Sequence, residues 1–271
     1  MSLHVPKSSL PRVVIAGGGF GGLRLAQALD ASRFQVVLID HHNYHQFPPL
    51  IYQVASSGLE PSSIAFPFRS AFRKRKNFHF RLASVIGVRE QEQCLETSVG
   101  EIHYDYLVLA CGGTTNFFGN EEVARHSLPM KTLYESMNLR NVLLQHIEKA
   151  LVTDDPMEAQ ALLTVAIVGG GPTGVEIAGA LAEMKRYVLP KDYPDLDTAR
   201  FTIHLLDASP RLLGAMSEKS SETALRELQS MGVEVRTHTL VSGYDGKVLT
   251  LQDGTQLPSR NVIWVSGIVA N

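Results

Sequence analysis

The chain has 271 residues, 44 % of them hydrophobic and 19 % charged, the balance of a folded globular protein; this excludes a disordered tail, a collagen-like rod and a coiled coil, and the length suggests about two domains of ~150 residues each. Lysine and arginine number 25 against 27 acidic residues, a formal net charge of −2, so no strongly basic surface invites nucleic acid. Two cysteines, Cys94 and Cys111, offer no disulfide framework and suit a reducing cytosol, while no apolar run approaches the ~18 residues of a membrane-spanning helix and Val13–Ala16 is too short for the core of a signal peptide.

The first informative segment is Arg12–Asp40. Val13, Val14 and Ile15 form a short apolar run that reads as a buried parallel strand. A glycine-rich turn follows, then Leu23, Ala26 and Leu29 at helical spacing, then a second buried strand, Val36–Ile39, closed by Asp40. This is a β-α-β unit. Residues 41–77 are irregular, with Pro48, Pro49, Pro61 and Pro67 breaking any long helix. Phe78–Arg81, Val85–Arg89, Cys94–Ser98 and Tyr106–Ala110 read as strands, with a turn at Gly100 that predicts a hairpin crossover. Leu133, Met137, Val142, Leu144 and Ile147 predict a helix over Thr132–Leu151.

At Leu163 the pattern begins again: strand, glycine turn and helix, then a strand Phe201–Leu206 ending at Asp207. A helix (Glu218–Met231), a strand (Val233–His238) and a hairpin with turn signals at Asp245-Gly246 and Asp253-Gly254 follow. Asn261–Gly267 reads as a last buried strand. Two β-α-β units about 150 residues apart are thus the main organisational fact, each opening a nucleotide-type domain.

Both glycine turns match G-x-G-x-x-G, at Gly17, Gly19 and Gly22 and at Gly169, Gly171 and Gly174. The first glycine makes the tight turn, the second lets backbone approach a pyrophosphate, and the third lets helix and strand pack closely. The helix N-terminus then presents free N–H groups and a positive dipole end to the phosphates. Asp40 and Asp207 close the following strands, where an acid accepts hydrogen bonds from ribose hydroxyls. The distance to Asp207 exceeds the usual ~20 residues, and Arg186–Arg200 reads as the insertion responsible. Two such sites suggest two cofactors. Asp207 would repel a 2′-phosphate, which favours NADH over NADPH, with Arg211 four residues on as the counterweight.

The chain resembles the type II NADH dehydrogenases, single-subunit flavoproteins that oxidise NADH and reduce a quinone. The residues carrying the resemblance are V-V-I-A-G-G-G-F-G-G-L near the start, P-P-L-I-Y-Q-V-A (Pro48–Ala55), Leu107–Gly119, Val168–Glu183 and Asn261–Ile268. The resemblance implies an α/β fold of two Rossmann-like dinucleotide-binding domains, the FAD/NAD-linked reductase fold, with the NADH domain inserted in the FAD domain: 1–119 as the first part of the FAD domain, 120–260 as the NADH domain, and 261–271 as the start of a returning FAD segment. It implies FAD pyrophosphate on Gly17, Gly19, Phe20, Gly21 and Gly22, the adenosine ribose on Asp40, adenine against the Val85 backbone, and a second flavin-contacting turn at Ala110, Cys111 and Gly112. Pro49, Leu50, Tyr52 and Gln53 would lie near the flavin ring. Gly169, Gly171, Pro172, Thr173, Gly174 and Asp207 would bind NADH, and Glu176 would serve quinone binding or proton delivery.

The resemblance also implies a Gly-Asp flavin-contacting turn and a C-terminal region with quinone-contacting glutamines and membrane-anchoring helices, none of which follows Asn271. The chain therefore reads as truncated. Weak flavin binding, impaired activity and no membrane docking are the expectation for it alone. An intact protein would sit in the cytoplasm, peripheral at the inner face of the cell membrane, with quinone and membrane surface as partners and room for a homodimer. Other two-dinucleotide flavoproteins are the alternatives. Ferredoxin reductases lack the Pro48–Ala55 motif, and sulfide:quinone oxidoreductases work through paired cysteines, whereas Cys111 reads as a small buried thiol. A non-catalytic nucleotide sensor would have no need of Pro49–Gln53. No metal is expected; His41, His42 and His45 lack an accompanying cluster of carboxylates or cysteines and read as contacts to cofactor or solvent. Ile64–Lys76 mixes aromatics with five basic residues and reads as a surface helix over the flavin, or an amphipathic helix on anionic lipid.

Overall fold

Val13, Val14 and Ile15 alternate across strand β1 (Arg12–Ala16), and burial of all three requires cover on both faces of the sheet. The computed structural model, which describes residues 3–271, supplies that cover. β1 lies between β2 (Gln35–Asp40) and β4 (Tyr106–Leu109), with β3 (Phe78–Leu82) beyond β2; all pairings are parallel, in the order β3-β2-β1-β4. On one face, helix α1 (Phe20–Ala28) brings Leu23 and Ala26, together with Phe68, Phe72 and Phe80, onto Val13, Ile15, Val36 and Leu38. On the other, an antiparallel three-stranded sheet (Val85–Arg89, Cys94–Thr97, Gly100–His103) sets Leu95 and Ile102 against Val14, Val37 and Ile39.

The same plan recurs in the second half. Strands β5 (Leu128–Pro129), β6 (Thr164–Val168), β7 (Thr202–Leu206), β8 (Glu234–Arg236) and β9 (Asn261–Trp264) form a parallel sheet in the order β5-β9-β6-β7-β8. Helices α2 (Ile51–Ala55), α3 (Leu133–Leu151), α4 (Pro172–Glu183) and α5 (Glu218–Ser230) belong to this half; α4 lies on β6 and β7, and α2 packs against α3 and α4. An antiparallel sheet (Val241–Tyr244, Val248–Leu251, Gln256–Pro258) closes another part of the core with Tyr244, Leu249 and Leu251. The two units comprise the chain up to Phe47 with Ile64–Gly113 and Ala270–Asn271, and Pro48–Ser63 with Thr114–Val269.

Several elements differ from expectation. Asn261–Trp264, expected to open a returning segment of the first domain, is instead the strand beside β6. Asn261 is fully buried and its amide donates to the carbonyls of Leu162 (2.8 Å) and Thr164 (3.2 Å), while its Oδ1 lies 2.7 Å from His146 Nδ1. A buried amide so satisfied fixes the strand in place. Pro48–Ser63, expected within the first domain, groups with the second unit through α2. Ile64–Lys76 forms no long helix of either expected kind: Ala65–Pro67 is a strand and only Phe68–Ala71 is helical, because Phe68 and Phe72 are drawn into the core. Between Glu183 and Arg200 the chain extends α4 through a π-helical turn, Met184–Val188, and a short helix, Leu189–Asp192.

The longest helix, α3, starts at a complete capping box. Thr132 Oγ1 accepts from Glu135 N at 3.2 Å and the Glu135 carboxylate accepts from Thr132 N at 2.9 Å, satisfying two otherwise orphaned donors. Thr132→Ala is expected to destabilise the second unit by about 1 kcal/mol. Urea unfolding would register this as a lower midpoint with an unchanged slope.

Candidate functional site

Each parallel sheet ends at a glycine loop, and the two loops are built alike. In the first, Gly17 takes φ +105°, and a Cβ there would strike the Ala110 carbonyl. A Cβ on Gly22 would overlap the Gly17 carbonyl oxygen, whereas one on Gly19 would meet nothing within 4 Å. α1 then begins with Gly19 as its N-cap and no side-chain cap, so its first-turn N–H groups face the open space in front of Gly19. In the second loop Gly169 takes φ +119° and a Cβ would crowd Ser266 at 2.9 Å. Gly174 is closed by the Gly169 carbonyl and Gly171 is open. α4 likewise starts without a side-chain cap, with Pro172 at its first position, where the absent N–H is no loss. Thr173 follows in the first turn.

The geometry fits a dinucleotide in each loop. Two glycines are closed by sterics, one is open where an anion must approach, and an uncapped helix end with a positive dipole points there. Phe20, the first residue of α1, is half-exposed beside Phe47, with ring centroids 5.4 Å apart; Gly21 is open on its outer side.

The two acids have a role that the sequence did not assign. Asp40 Oδ2 accepts the N–H of Gly18 at 2.6 Å and Oδ1 accepts the N–H of His42 at 2.7 Å. Asp207 accepts from Gly170 N and, at 2.6 Å, from Ser209 N. Each carboxylate thus ties the middle of its loop to the end of the neighbouring strand. Lone pairs remain for a ribose hydroxyl, since a carboxylate offers about four acceptor positions. Arg211 donates to the carbonyls of Gly214 (2.8 Å) and Met216 (3.1 Å), so its guanidinium closes its own loop.

The remaining residues divide between the two units. Ala110, Cys111 and Gly112 follow β4; Ala110 N donates to Ala16 O at 2.7 Å, which brings this turn beside the first glycine loop. Cys111, expected as a buried thiol, is exposed; its Sγ lies 3.6 Å from Ala16 O and partial burial pushes the thiol up. Asn271 meets this turn, its side-chain amide donating to Cys111 O at 2.8 Å and its backbone N–H to Gly112 O at 3.3 Å, but it leaves the thiol exposed. Cys94 is the buried thiol, beside Arg89 and Glu101 in the antiparallel sheet. Both cysteines are free. Val85 opens that sheet opposite Thr97.

Pro49 and Leu50 form a 3-10 turn that leads into α2, which carries Tyr52 and Gln53; Gln53 Nε2 donates to the Tyr52 hydroxyl at 3.1 Å. α2 lies against α4, the helix that starts at the second loop and carries Glu176. Glu176 is on an exposed face, yet partial burial raises its carboxyl above the usual carboxylate value. The three histidines do not act as a group. His41 and His42 lie beside Asp40 with ring centroids 4.0 Å apart and planes tilted by 47°, while His45 is buried with Nδ1 2.9 Å from Gly18 O. Sequence reasoning missed this contact; the one available signal was an aromatic-rich stretch immediately after the acid.

Residues 11–271 match the family described as pyridine nucleotide-disulphide oxidoreductase. The chain is 35 % identical to the type II NADH:quinone oxidoreductase Ndh of Mycobacterium tuberculosis over 96 % of its own length and 58 % of that protein's. It is 27 % identical to the type II NADH:quinone oxidoreductase of Haemophilus influenzae, over 97 % and 65 %. It thus spans about three-fifths of the length of these curated relatives. Among solved structures, NDH2 from Plasmodium falciparum in complex with NADH shares the fold with a TM-score of 0.91 at 24 % identity, covering 96 % of this chain and 56 % of that one. The sulfide:quinone oxidoreductase of Aquifex aeolicus matches less well, with a TM-score of 0.74. The two glycine loops therefore stand in a chain that belongs to the pyridine nucleotide-disulphide oxidoreductase family and, within it, is similar to the type II NADH:quinone oxidoreductases.

Proposed function

We propose that this chain forms the two-cofactor part of a flavin-dependent NADH:quinone oxidoreductase of type II, with FAD at Gly17–Gly22 and NADH at Gly169–Gly174. The observation that carries the proposal is the repeated loop, each with an open second glycine before an uncapped helix and a carboxylate at the next strand end. The match to relatives bearing that activity in name supports it. A bound flavin would accept a hydride from nicotinamide and pass two electrons to a quinone.

The work left to the protein is binding, orientation and proton supply. Gly17, Gly19, Phe20, Gly21 and Gly22 hold one pyrophosphate and Gly169, Gly171, Pro172, Thr173 and Gly174 the other, each against a helix end. Asp40 and Asp207 fix those loops and take the riboses. Asp207 disfavours a 2′-phosphate, and Arg211, committed to two carbonyls, does not offset it. Val85 meets the adenine; Ala110, Cys111 and Gly112 border the flavin, and Pro49, Leu50, Tyr52 and Gln53 line its ring. Glu176 holds a proton for the quinone, and a raised carboxyl suits that role because it stays neutral to higher pH. The two free cysteines speak against the paired-thiol chemistry of sulfide:quinone oxidoreductases. A peripheral place at the inner face of the cell membrane and a homodimer belong to the same reading. No helix among the described residues is long and apolar enough to cross a membrane.

NADH added anaerobically to the flavin-loaded protein is expected to bleach the flavin absorbance. A flavin that stays oxidised would leave a nucleotide sensor as the better reading. Gly22→Ala places a methyl on the Gly17 carbonyl and is expected to weaken FAD binding by at least about tenfold, a loss of ~1.4 kcal/mol, while NADH titration remains close to wild type; Gly174→Ala should reverse the pattern.

Glu176→Gln should slow quinone reduction more than flavin reduction by NADH. In the wild type the neutral acid is lost as pH rises through its raised value. Quinone turnover should therefore fall on an alkaline limb displaced upward from the ordinary carboxylate value, and rapid-mixing measurements on Glu176→Gln should lack that limb. Equal effects on both half-reactions would remove the assigned role.

A further inference from the structure

The residue between the first two glycines of a G-x-G-x-x-G loop is nominally free, yet in both loops its peptide group is held on every side. Gly18 N–H is taken by Asp40 Oδ2 at 2.6 Å, its carbonyl lies 2.9 Å from His45 Nδ1, and the Phe68 ring fills the place where a Cβ would stand. In the second loop Gly170 N–H is taken by Asp207, its carbonyl accepts from the backbone N–H of Leu213 at 2.8 Å, and the Leu212 side chain occupies the Cβ position. The two arrangements match part for part except in one respect. The donor to the carbonyl is a backbone amide in the second loop and a histidine side chain in the first.

The local fold delivers that side chain. Tyr44–Gln46 pairs antiparallel with Ala65–Pro67, His45 opposite Phe66. Their rings lie 5.0 Å apart, with Phe20 at 5.5 Å and Phe68 at 6.4 Å on other sides. His45 is 4 % exposed. A carbonyl can only accept, so Nδ1 must carry the hydrogen. Removing this donor would leave a buried carbonyl unsatisfied and free the Gly18 peptide to turn, and with it the N–H groups that follow at Gly19 and Phe20.

We infer that His45 is a positioning residue of the first cradle: through Gly18 it holds the loop in the orientation that receives a pyrophosphate, the part that Leu213 N plays in the second. The inference rests on the proposed assignment of a flavin dinucleotide to the first loop. It places no group of His45 on the cofactor itself.

Two opposite substitutions separate the hydrogen bond from the packing. His45→Phe keeps an aromatic ring among Phe20, Phe66 and Phe68 but has no N–H. His45→Asn gives up the ring but places an amide nitrogen where Nδ1 stood. FAD and NADH are titrated separately into the deflavinated 271-residue chain, and hydrogen exchange is followed at the peptides covering 17–22 and 169–174. His45→Phe should weaken FAD binding about tenfold or more, equivalent to ~1.4 kcal/mol, and speed exchange in 17–22, leaving NADH binding and 169–174 unchanged. His45→Asn should stay within about threefold of wild type for FAD, under ~0.7 kcal/mol, and keep the 17–22 peptide protected.

The reverse outcome, with the Phe variant normal and the Asn variant impaired, would assign His45 to packing and overturn the inference. If His45→Phe loses its far-ultraviolet dichroism, the Asn variant decides alone: retained FAD binding supports the inference and lost binding refutes it. If the wild-type chain takes up no FAD, the functional assignment fails, and exchange at 17–22 still shows whether the histidine holds the loop.

Discussion

A methyl group on Gly22 would overlap the carbonyl oxygen of Gly17, and one on Gly174 would overlap that of Gly169. This contact between a loop and the first turn of its own helix sets the distance between strand and helix in both halves of the protein. Because the third glycine lets the helix descend onto the loop, the helix N-terminus stands directly over the strand end, its first-turn N–H groups aimed past the open second glycine. The parallel sheets, the helices on their faces and the antiparallel sheets behind them keep those two ends in register. An anion-binding end so placed needs no charged side chain: backbone donors and the helix dipole suffice.

The carboxylates are the second part of the arrangement. Asp40 and Asp207 stand where a ribose would be recognised, and each also accepts the N–H at the centre of its loop. A carboxylate bound to two backbone N–H groups is held in a single orientation, so in the proposed reading one residue would set the loop's shape and meet the ribose. The symmetry of this tie between the halves argues that the repeat is functional as well as architectural, since packing alone would not require an acid at both positions.

Much of this was legible in the sequence because local chemistry determines it. Runs such as Val13–Ile15 and Val165–Val168 have few alternatives to a buried strand, glycines at fixed intervals have few alternatives to a tight turn, and the apolar spacing from Leu133 to Ile147 marks a helix. The misreadings share one cause. Asn261–Trp264 is an apolar run that would suit either sheet; in the fold it pairs with strands of the second sheet, packs Val262 and Trp264 into that core, and binds Leu162 and Thr164 through the buried amide of Asn261. Phe66, Phe68 and Phe72 read as the apolar side of a surface helix, but two of them are core residues of the first sheet, and the backbone bends to put them there.

What the sequence determined by itself, then, is the presence of two phosphate-type loops, their order, and the acid that follows each strand; these depend on residues near one another along the chain. Tertiary structure alone decided which residue completes each loop, by a side chain in the first and by a backbone N–H in the second. His45 lies 27 residues from Gly18 and Leu213 lies 43 from Gly170, and no spacing rule connects either pair. Tertiary packing likewise left Cys111 exposed and Cys94 enclosed, because burial depends on which surfaces meet, a property of the folded chain and not of any segment within it.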